Sequence, residues 1–260
     1  MPHLSANGLT INYEFDRSAG ADAPVLLLSN SLGTTISMWD DQIAAFSSRY
    51  QVLRYDTRGH GASAQPEGPY SLDELGADVV ALLDGLAIPK VHFCGLSLGG
   101  MIGQQLAIHS SDRLDKVVLC NTNAVTAQPD FWDKRIGIVQ SEGIAAIADG
   151  VMARFFSPEF AAKAPKTIAD FKAGLIATPP VGYAACCAAI RDLDYRADLA
   201  TIKAKTLVIA GSRDEASPAE NGKAIAAAIP GATYQEIDAA HISNIEAPER
   251  FSENVMSFLG

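Results

Sequence analysis

Positive charge is scarce in this chain. It carries 20 Lys and Arg against 30 Asp and Glu, a formal net charge of −10 at pH 7. That balance argues against nucleic acid as a partner and against binding to a membrane, since both present anionic surfaces that call for basic patches. An anionic small molecule would have to be met by a local basic group rather than by the overall field. Cysteine is sparse as well. Cys94, Cys120, Cys186 and Cys187 have no zinc-ligand spacing, so buried thiols are expected and no metal site is read. No uninterrupted apolar run approaches the roughly 20 residues of a membrane-spanning helix. The start, Met1-Pro2-His3-Leu4-Ser5, has neither the basic nor the apolar stretch of a secretory leader, so a cytoplasmic protein is expected. Internal repeats and low-complexity tracts are missing too.

What the chain does have is apolar content. Hydrophobic residues make up 48% of 260, enough for one large α/β domain or two small ones. Asn7-Gly8 is a two-residue turn signal inside a predicted hairpin. After it, Leu9, Ile11, Tyr13 and Phe15 alternate with Thr10, Asn12 and Glu14, as on a strand with one wet face. Val25 to Leu28 is apolar at every position, the pattern of a strand buried on both faces. Trp39, Ile43 and Phe46 then recur at helical spacing. Gln51 to Tyr55 reads as the next strand, and Ser71 with Glu74 forms a capping box opening a helix that carries Leu75, Val79, Leu82 and Leu83. Further strands are read at Val91 and at Lys116 to Cys120. This rhythm implies a doubly wound, mostly parallel sheet.

From Asn121 to Lys205 the rhythm breaks into Ala-rich helical stretches punctuated by Pro158, Pro165 and Pro179-Pro180. It resumes with a strand at Thr206 to Ala210 and a helix expected to start with Ser217 as N-cap, Pro218 at its first position and Glu220 completing a box. A last strand, Thr233 to Ile237, precedes a closing helix marked by Phe251, Val255 and Phe258. Residues 1–121 and 205–260 are therefore expected to form the core domain. Residues 122–204 are expected to form a helical insertion leaving a strand's carboxyl end, where open α/β sheets bind ligands. That position makes it a lid candidate.

The chemistry centres on Cys94-Gly95-Leu96-Ser97-Leu98-Gly99-Gly100, where an apolar run ends in Gly-x-Ser-x-Gly and an amphipathic segment begins at once. This is the layout of a nucleophile elbow, which lifts a serine above the sheet. A serine hydroxyl needs a base and a group to orient that base. Of the five histidines, His241 on the loop after the last strand suits Ser97 best, and His60 in a Gly-flanked turn is a weaker candidate. The orienting acid is Asp214, just beyond the Leu207 strand, with Asp238 as its rival. Two N–H groups are needed for the tetrahedral oxyanion, and Leu98 and Leu32 are placed to supply them, the latter in the turn Asn30-Ser31-Leu32-Gly33. Asp56-Thr57-Arg58-Gly59-His60-Gly61 reads as a charged turn knitting loops beneath the pocket. In the insertion, Trp132 and Arg135 share a helical face. They suit an acidic substrate, which arginine grips in a fork, and equally a surface pair.

With those residues in place, the chain resembles the α/β-hydrolase family over essentially its full length. More narrowly it is similar to the 3-oxoadipate enol-lactonase family of the β-ketoadipate pathway of aromatic breakdown. The narrower likeness rests on Ser29-Asn30-Ser31-Leu32-Gly33-Thr34, with Tyr55 to Ser63, Cys94 to Met101 and Phe131-Trp132 in support. The resemblance implies an α/β-hydrolase fold with about eight strands and a helical lid after the sixth. It also implies Ser97, Asp214 and His241 as triad, Leu32 and Leu98 as oxyanion donors, no cofactor, and a small anionic lactone as substrate. A carboxylesterase, a C–C-bond hydrolase, a cofactor-free perhydrolase and a non-catalytic receptor stay open, as does a homo-oligomeric state.

Overall fold

A computed structural model describes residues 3–260; Met1 and Pro2, part of the expected leaderless start, lie outside the described residues. The chain runs β1 (His3–Ala6), β2 (Leu9–Asp16), β3 (Val25–Ser29), α1 (Asp40–Phe46), β4 (Gln51–Tyr55), α2 (Leu72–Gly85), β5 (Val91–Leu96), α3 (Leu98–His109) and β6 (Leu114–Cys120). Five helices follow: α4 (Pro129–Glu142), α5 (Ala145–Phe155), α6 (Pro158–Lys163), α7 (Pro165–Ala177) and α8 (Pro180–Arg191). The chain then closes with β7 (Lys205–Gly211), α9 (Ala219–Ala228), β8 (Thr233–Ile237), α10 (Ser243–Glu246) and α11 (Pro248–Leu259).

The eight strands form one sheet in the order β1-β2-β4-β3-β5-β6-β7-β8. Only β1 with β2 and β2 with β4 pair antiparallel; every other neighbour is parallel. This order locates the site. From β3 the chain moves to β4 on one side, then returns past β3 to β5 on the other. The loops leaving β3 and β5 therefore diverge and open a crevice at their carboxyl ends, the usual ligand position of such a sheet. Asn30 to Gly33 leave β3 and Ser97 leaves β5, so the two turns face each other across that crevice.

Sequence pattern accounts for the elements. Asn7 and Gly8 both adopt positive φ (51° and 73°), as the tightest hairpin turn requires. Leu26 to Leu28 and Val91 to Leu96 are buried throughout, between helices on both faces. The Ser71 hydroxyl accepts from the Glu74 N–H at 3.2 Å while a Glu74 carboxylate oxygen accepts from the Ser71 N–H at 2.9 Å, a cap worth about 1 kcal/mol. In α11, Phe251, Val255 and Leu259 are buried at i, i+4 and i+8. Phe258 lies to the side of that stripe, its ring beneath the Lys116 ammonium. Each large side chain taken from water contributes about 1.5–3 kcal/mol.

Two local expectations are corrected. Asn12, on the expected wet face of β2, is buried; its side-chain amide donates to Asp56 at 2.8 Å. The loop after β4 folds back over that face. Helix α9 begins at Ala219, its N-cap is Pro218 and no side chain caps it. The Ser217 N–H is already engaged by the Asp214 carboxylate at 2.8 Å, and its hydroxyl accepts from Asn123 at 3.0 Å. Ser217 thus serves the turn before the helix rather than the helix itself.

The segment between β6 and β7 contains α4 to α8, with α4 packed on α8 and α5 on α7. All four cysteines are free and buried. Cys186 and Cys187 lie in the packed face of α8, where the Cys186 thiol approaches the Arg58 carbonyl at 3.7 Å. Among the described residues no single helix is long and apolar enough to cross a membrane.

Candidate active site

Ser97 sits between β5 and α3 with φ 58° and ψ −114°, a conformation that costs about 1–3 kcal/mol and persists only where surroundings enforce it. They do. A Cβ on Gly95 would stand 2.2 Å from the Gly99 carbonyl oxygen, and one on Gly99 would stand 2.1 Å from that of Ser29. No side chain fits at either position, which is why the pattern needs both glycines. The Ser97 N–H donates to the Cys120 carbonyl at 2.9 Å, and the Thr122 hydroxyl donates to the Ser97 carbonyl at 2.8 Å. The turn is pinned to β6 from both ends.

Asp214, past the end of β7, accepts four hydrogen bonds. One oxygen takes the N–H groups of Ala216 and Ser217, both at 2.8 Å. The other takes the Asn121 amide at 3.0 Å and His241 Nδ1 at 2.9 Å. An ionised carboxylate only accepts, so Nδ1 carries the proton and Nε2 is left as the basic nitrogen. The rival acid, Asp238, is exposed and pairs with Arg213 at 2.9 Å. It does not reach the imidazole. His241 lines one pocket with Ser97, whereas His60 does not.

His60 instead holds the facing turn. Its Nε2 accepts from the Gly33 N–H at 2.9 Å, and its Nδ1 lies 3.3 Å from the Arg58 carbonyl. Burial lowers its pKa, against the opposing pull of that carbonyl and of Asp56, so it stays neutral and able to accept. Asp56 in turn accepts from the Ile36 and Ala62 N–H groups at 2.9 and 3.0 Å, and Arg58 pairs with buried Asp78 at 2.6 Å. The charged turn does knit loops beneath the pocket.

The backbone around the two turns shows a clear pattern. The Ser31 and Gly33 N–H groups are used, by Met38 Sδ and His60, and those of Ser97 and Gly99 by the Cys120 and Asn30 carbonyls. Between them, the N–H groups of Leu32 and Leu98 have no partner among the described residues. The Gly99–Asn30 bond, 2.9 Å, ties one turn to the other. Two free donors held in register beside a nucleophile can receive a developing oxyanion.

One pocket is lined by Ser97, His241, Leu32, Trp132, Arg135 and Arg154 among others. The helical insertion forms its far wall. Phe155 of α5 lies 5.5 Å from the His241 ring, and the Ile242 N–H donates to the Phe155 carbonyl at 3.0 Å. Arg135 reaches the Tyr183 hydroxyl at 3.4 Å, and its guanidinium lies over the Phe131 and Trp132 rings. The expected Trp132–Arg135 pair thus faces the pocket rather than standing as a surface pair.

Three contributors escape a reading of sequence alone. Arg154 is a lone basic residue closing the apolar face of α5, and that isolation is its one signal. His60 stood out in its motif, but only the fold shows what it binds. Glu246 has a side chain 4% exposed and accepts from Ser157 of the insertion and from the Ala240 N–H at 3.2 Å. Its partners lie 89 and 6 residues away, which leaves no local mark.

These elements define a hydrolase with a serine, histidine and aspartate at the strand ends of a doubly wound sheet. The alpha/beta hydrolase fold family matches residues 24–248, and the chain belongs to it. It is 42% identical over 252 residues to 3-oxoadipate enol-lactonase 2 of Acinetobacter baylyi, covering 97% of this chain and 94% of that one. The crystal structure of the enol-lactonase from Burkholderia xenovorans LB400 superposes with a TM-score of 0.97 at 43% identity, covering 99% of both chains. That of a hydrolase from Pseudomonas aeruginosa PA01 gives 0.96 at 45%, covering 100% of this chain and 98% of the other.

Proposed function

We propose that this enzyme opens 3-oxoadipate enol-lactone to 3-oxoadipate, in the β-ketoadipate pathway. Full-length similarity to enol-lactonases supports the reaction. The observation that carries the substrate class is that the pocket holding Ser97 and His241 also holds Arg135, which has no carboxylate partner among the described residues. A chain of net charge −10 that keeps a guanidinium without a carboxylate partner in the pocket of its nucleophile is built for an anion carried in by the ligand.

In this reading His241 Nε2 takes the Ser97 proton as Oγ attacks the lactone carbonyl. The Leu32 and Leu98 N–H groups receive the oxyanion. Collapse breaks the bond to the ring oxygen and leaves an acyl-serine whose leaving enol is still tethered. Its conversion to the ketone prevents re-closure, and water activated by His241 then releases the product. Arg135, steadied by Tyr183 and stacked on Trp132, holds the substrate carboxylate. Residues 122–204 act as the lid over this site, with 1–121 and 205–260 as the core. The buried, unpaired thiols suit a reducing cytoplasm.

The test is turnover of the enol-lactone, followed by loss of its ultraviolet absorbance, beside turnover of short neutral esters. The expected result is a kcat/KM for the lactone at least a hundredfold above that for any neutral ester, abolished in Ser97→Ala. Equal or lower activity on the lactone rejects the substrate. Binding without turnover in the wild type rejects catalysis.

A further inference from the structure

We propose that Arg154 is a further catalytic residue, one that holds the oxygen leaving the acyl carbon as negative charge develops on it. Arg154 lines the pocket with Ser97 and His241. It stands on the histidine's side: the next residue, Phe155, has its ring against that of His241, and Arg154 Nη2 donates at 3.3 Å to the carbonyl of Glu215, the residue after Asp214. Arg135 instead donates to the Tyr183 hydroxyl at 3.4 Å. The two guanidiniums lie over the same Phe131 ring, 5.2 and 4.6 Å from its centroid.

Neither guanidinium has a carboxylate within ion-pairing distance among the described residues, whereas Arg58, Arg113 and Arg191 are all paired. Burial, and then the like charge of Arg135, lower the pKa of Arg154 against the opposing pull of Asp214 and Glu215. Neither of those carboxylates is at ion-pairing distance, so two cations in one pocket can still receive more negative charge than one substrate carboxylate brings. The reaction supplies it. In acyl transfer one imidazole serves both the nucleophile and the leaving atom, so the leaving oxygen departs on the histidine's side. That is where Arg154 lies.

The step balances without further reagents. The Oγ–carbon bond forms, the carbon–ring oxygen bond breaks, and its electron pair stays on the enol oxygen opposite Arg154. The serine proton rests on His241 and reaches the enolate through water as the ketone forms. The lactone enters this account through the function proposed above, but the role itself applies to any ester with an acidic leaving group.

The test is therefore a series of aryl acetates from 4-nitrophenyl to 4-methylphenyl, with kcat/KM plotted against the acidity of the leaving phenol for wild type, Arg154→Gln and Arg154→Lys. The expected result is a steeper dependence in Arg154→Gln, with a small loss on the nitrophenyl ester and a loss on the order of 10²–10³ on the methylphenyl ester. Arg154→Lys should regain part of it. A uniform loss across the series, or a raised KM for acidic substrates at unchanged slope, overturns the proposal. A steepened slope in an enzyme that ignores the enol-lactone leaves Arg154 standing and rejects the substrate instead.

Discussion

Replacing Asp214 with Asn separates the chemistry of the acid from its shape. The side chain keeps its size, and its oxygen can still accept the Ala216 and Ser217 N–H groups at 2.8 Å. Its new NH₂ group then faces two donors, the Asn121 amide and His241 Nδ1. The imidazole can answer by moving its proton to Nε2, which removes the lone pair that Ser97 needs. Asn121 cannot answer by turning over, because its oxygen already accepts from the Ser243 hydroxyl at 2.6 Å. The rate loss is that of a wrong tautomer, on the order of 10⁴ in kcat with KM little changed. The stability loss is that of one unsatisfied buried donor, about 1–3 kcal/mol, or about 2–4 °C of Tm per kcal/mol in a chain near this size. Steady-state kinetics on a neutral ester and a thermal melt read both, with Asp238→Asn as control. A loss of less than tenfold, or an equal loss in Asp238→Asn, would refute the assignment of Asp214.

Two further outcomes follow from the same geometry. Arg135→Ala should raise KM for the acidic lactone ten- to a hundredfold while sparing neutral esters, since its guanidinium is assigned to a charge that those esters lack; equal losses on both substrates reject that role. His60 has its pKa lowered by burial, so the unfolded chain binds a proton near pH 6.5 that the native state refuses. Its stabilising share is full above that pH and is lost as pH falls toward the native value. Tm should drop more between pH 7 and 5.5 in wild type than in His60→Gln, which keeps an acceptor for Gly33; parallel curves would show that His60 does not titrate this way.

The doubly wound sheet, its hairpin edge and the helical interruption were legible because each rests on local pattern: unbroken apolar runs, a turn dipeptide, proline punctuation. Ser97, Asp214 and His241 were legible for a related reason. Each lies within four residues of a strand's carboxyl end, and in a parallel sheet those ends gather at one edge. Where the reading failed, a distant partner had overridden a local rule. Ser217 has the spacing of a helix cap, but its hydroxyl accepts from the Asn123 amide, 94 residues away. Asn12 has the alternation of a solvent-facing residue, yet the loop carrying Asp56 and Ser63 lies across it. His60 and Glu246 act through residues 27 and 89 positions away, and no window of sequence contains such pairs.

Charge makes the same point on a larger scale. A net charge of −10 disfavours an anionic substrate if the whole surface is summed, yet exposed carboxylates farther off than the screening length of about 8 Å at physiological salt count for little. A carboxylate docked near 4 Å from an unpaired guanidinium gains on the order of 4 kcal/mol at an effective dielectric of 20. The pocket therefore decides binding, and what matters is which arginines lack partners. Arg213 shows the contrast: it stands beside Asp214 in sequence, but Asp238, Glu159 and Glu246 surround it, so its charge is spent on holding the loops. Among the described residues Arg135 and Arg154 have no carboxylate at ion-pairing distance. Composition lists all of these arginines as equals, and only the fold shows that Arg135 and Arg154 line the pocket of Ser97.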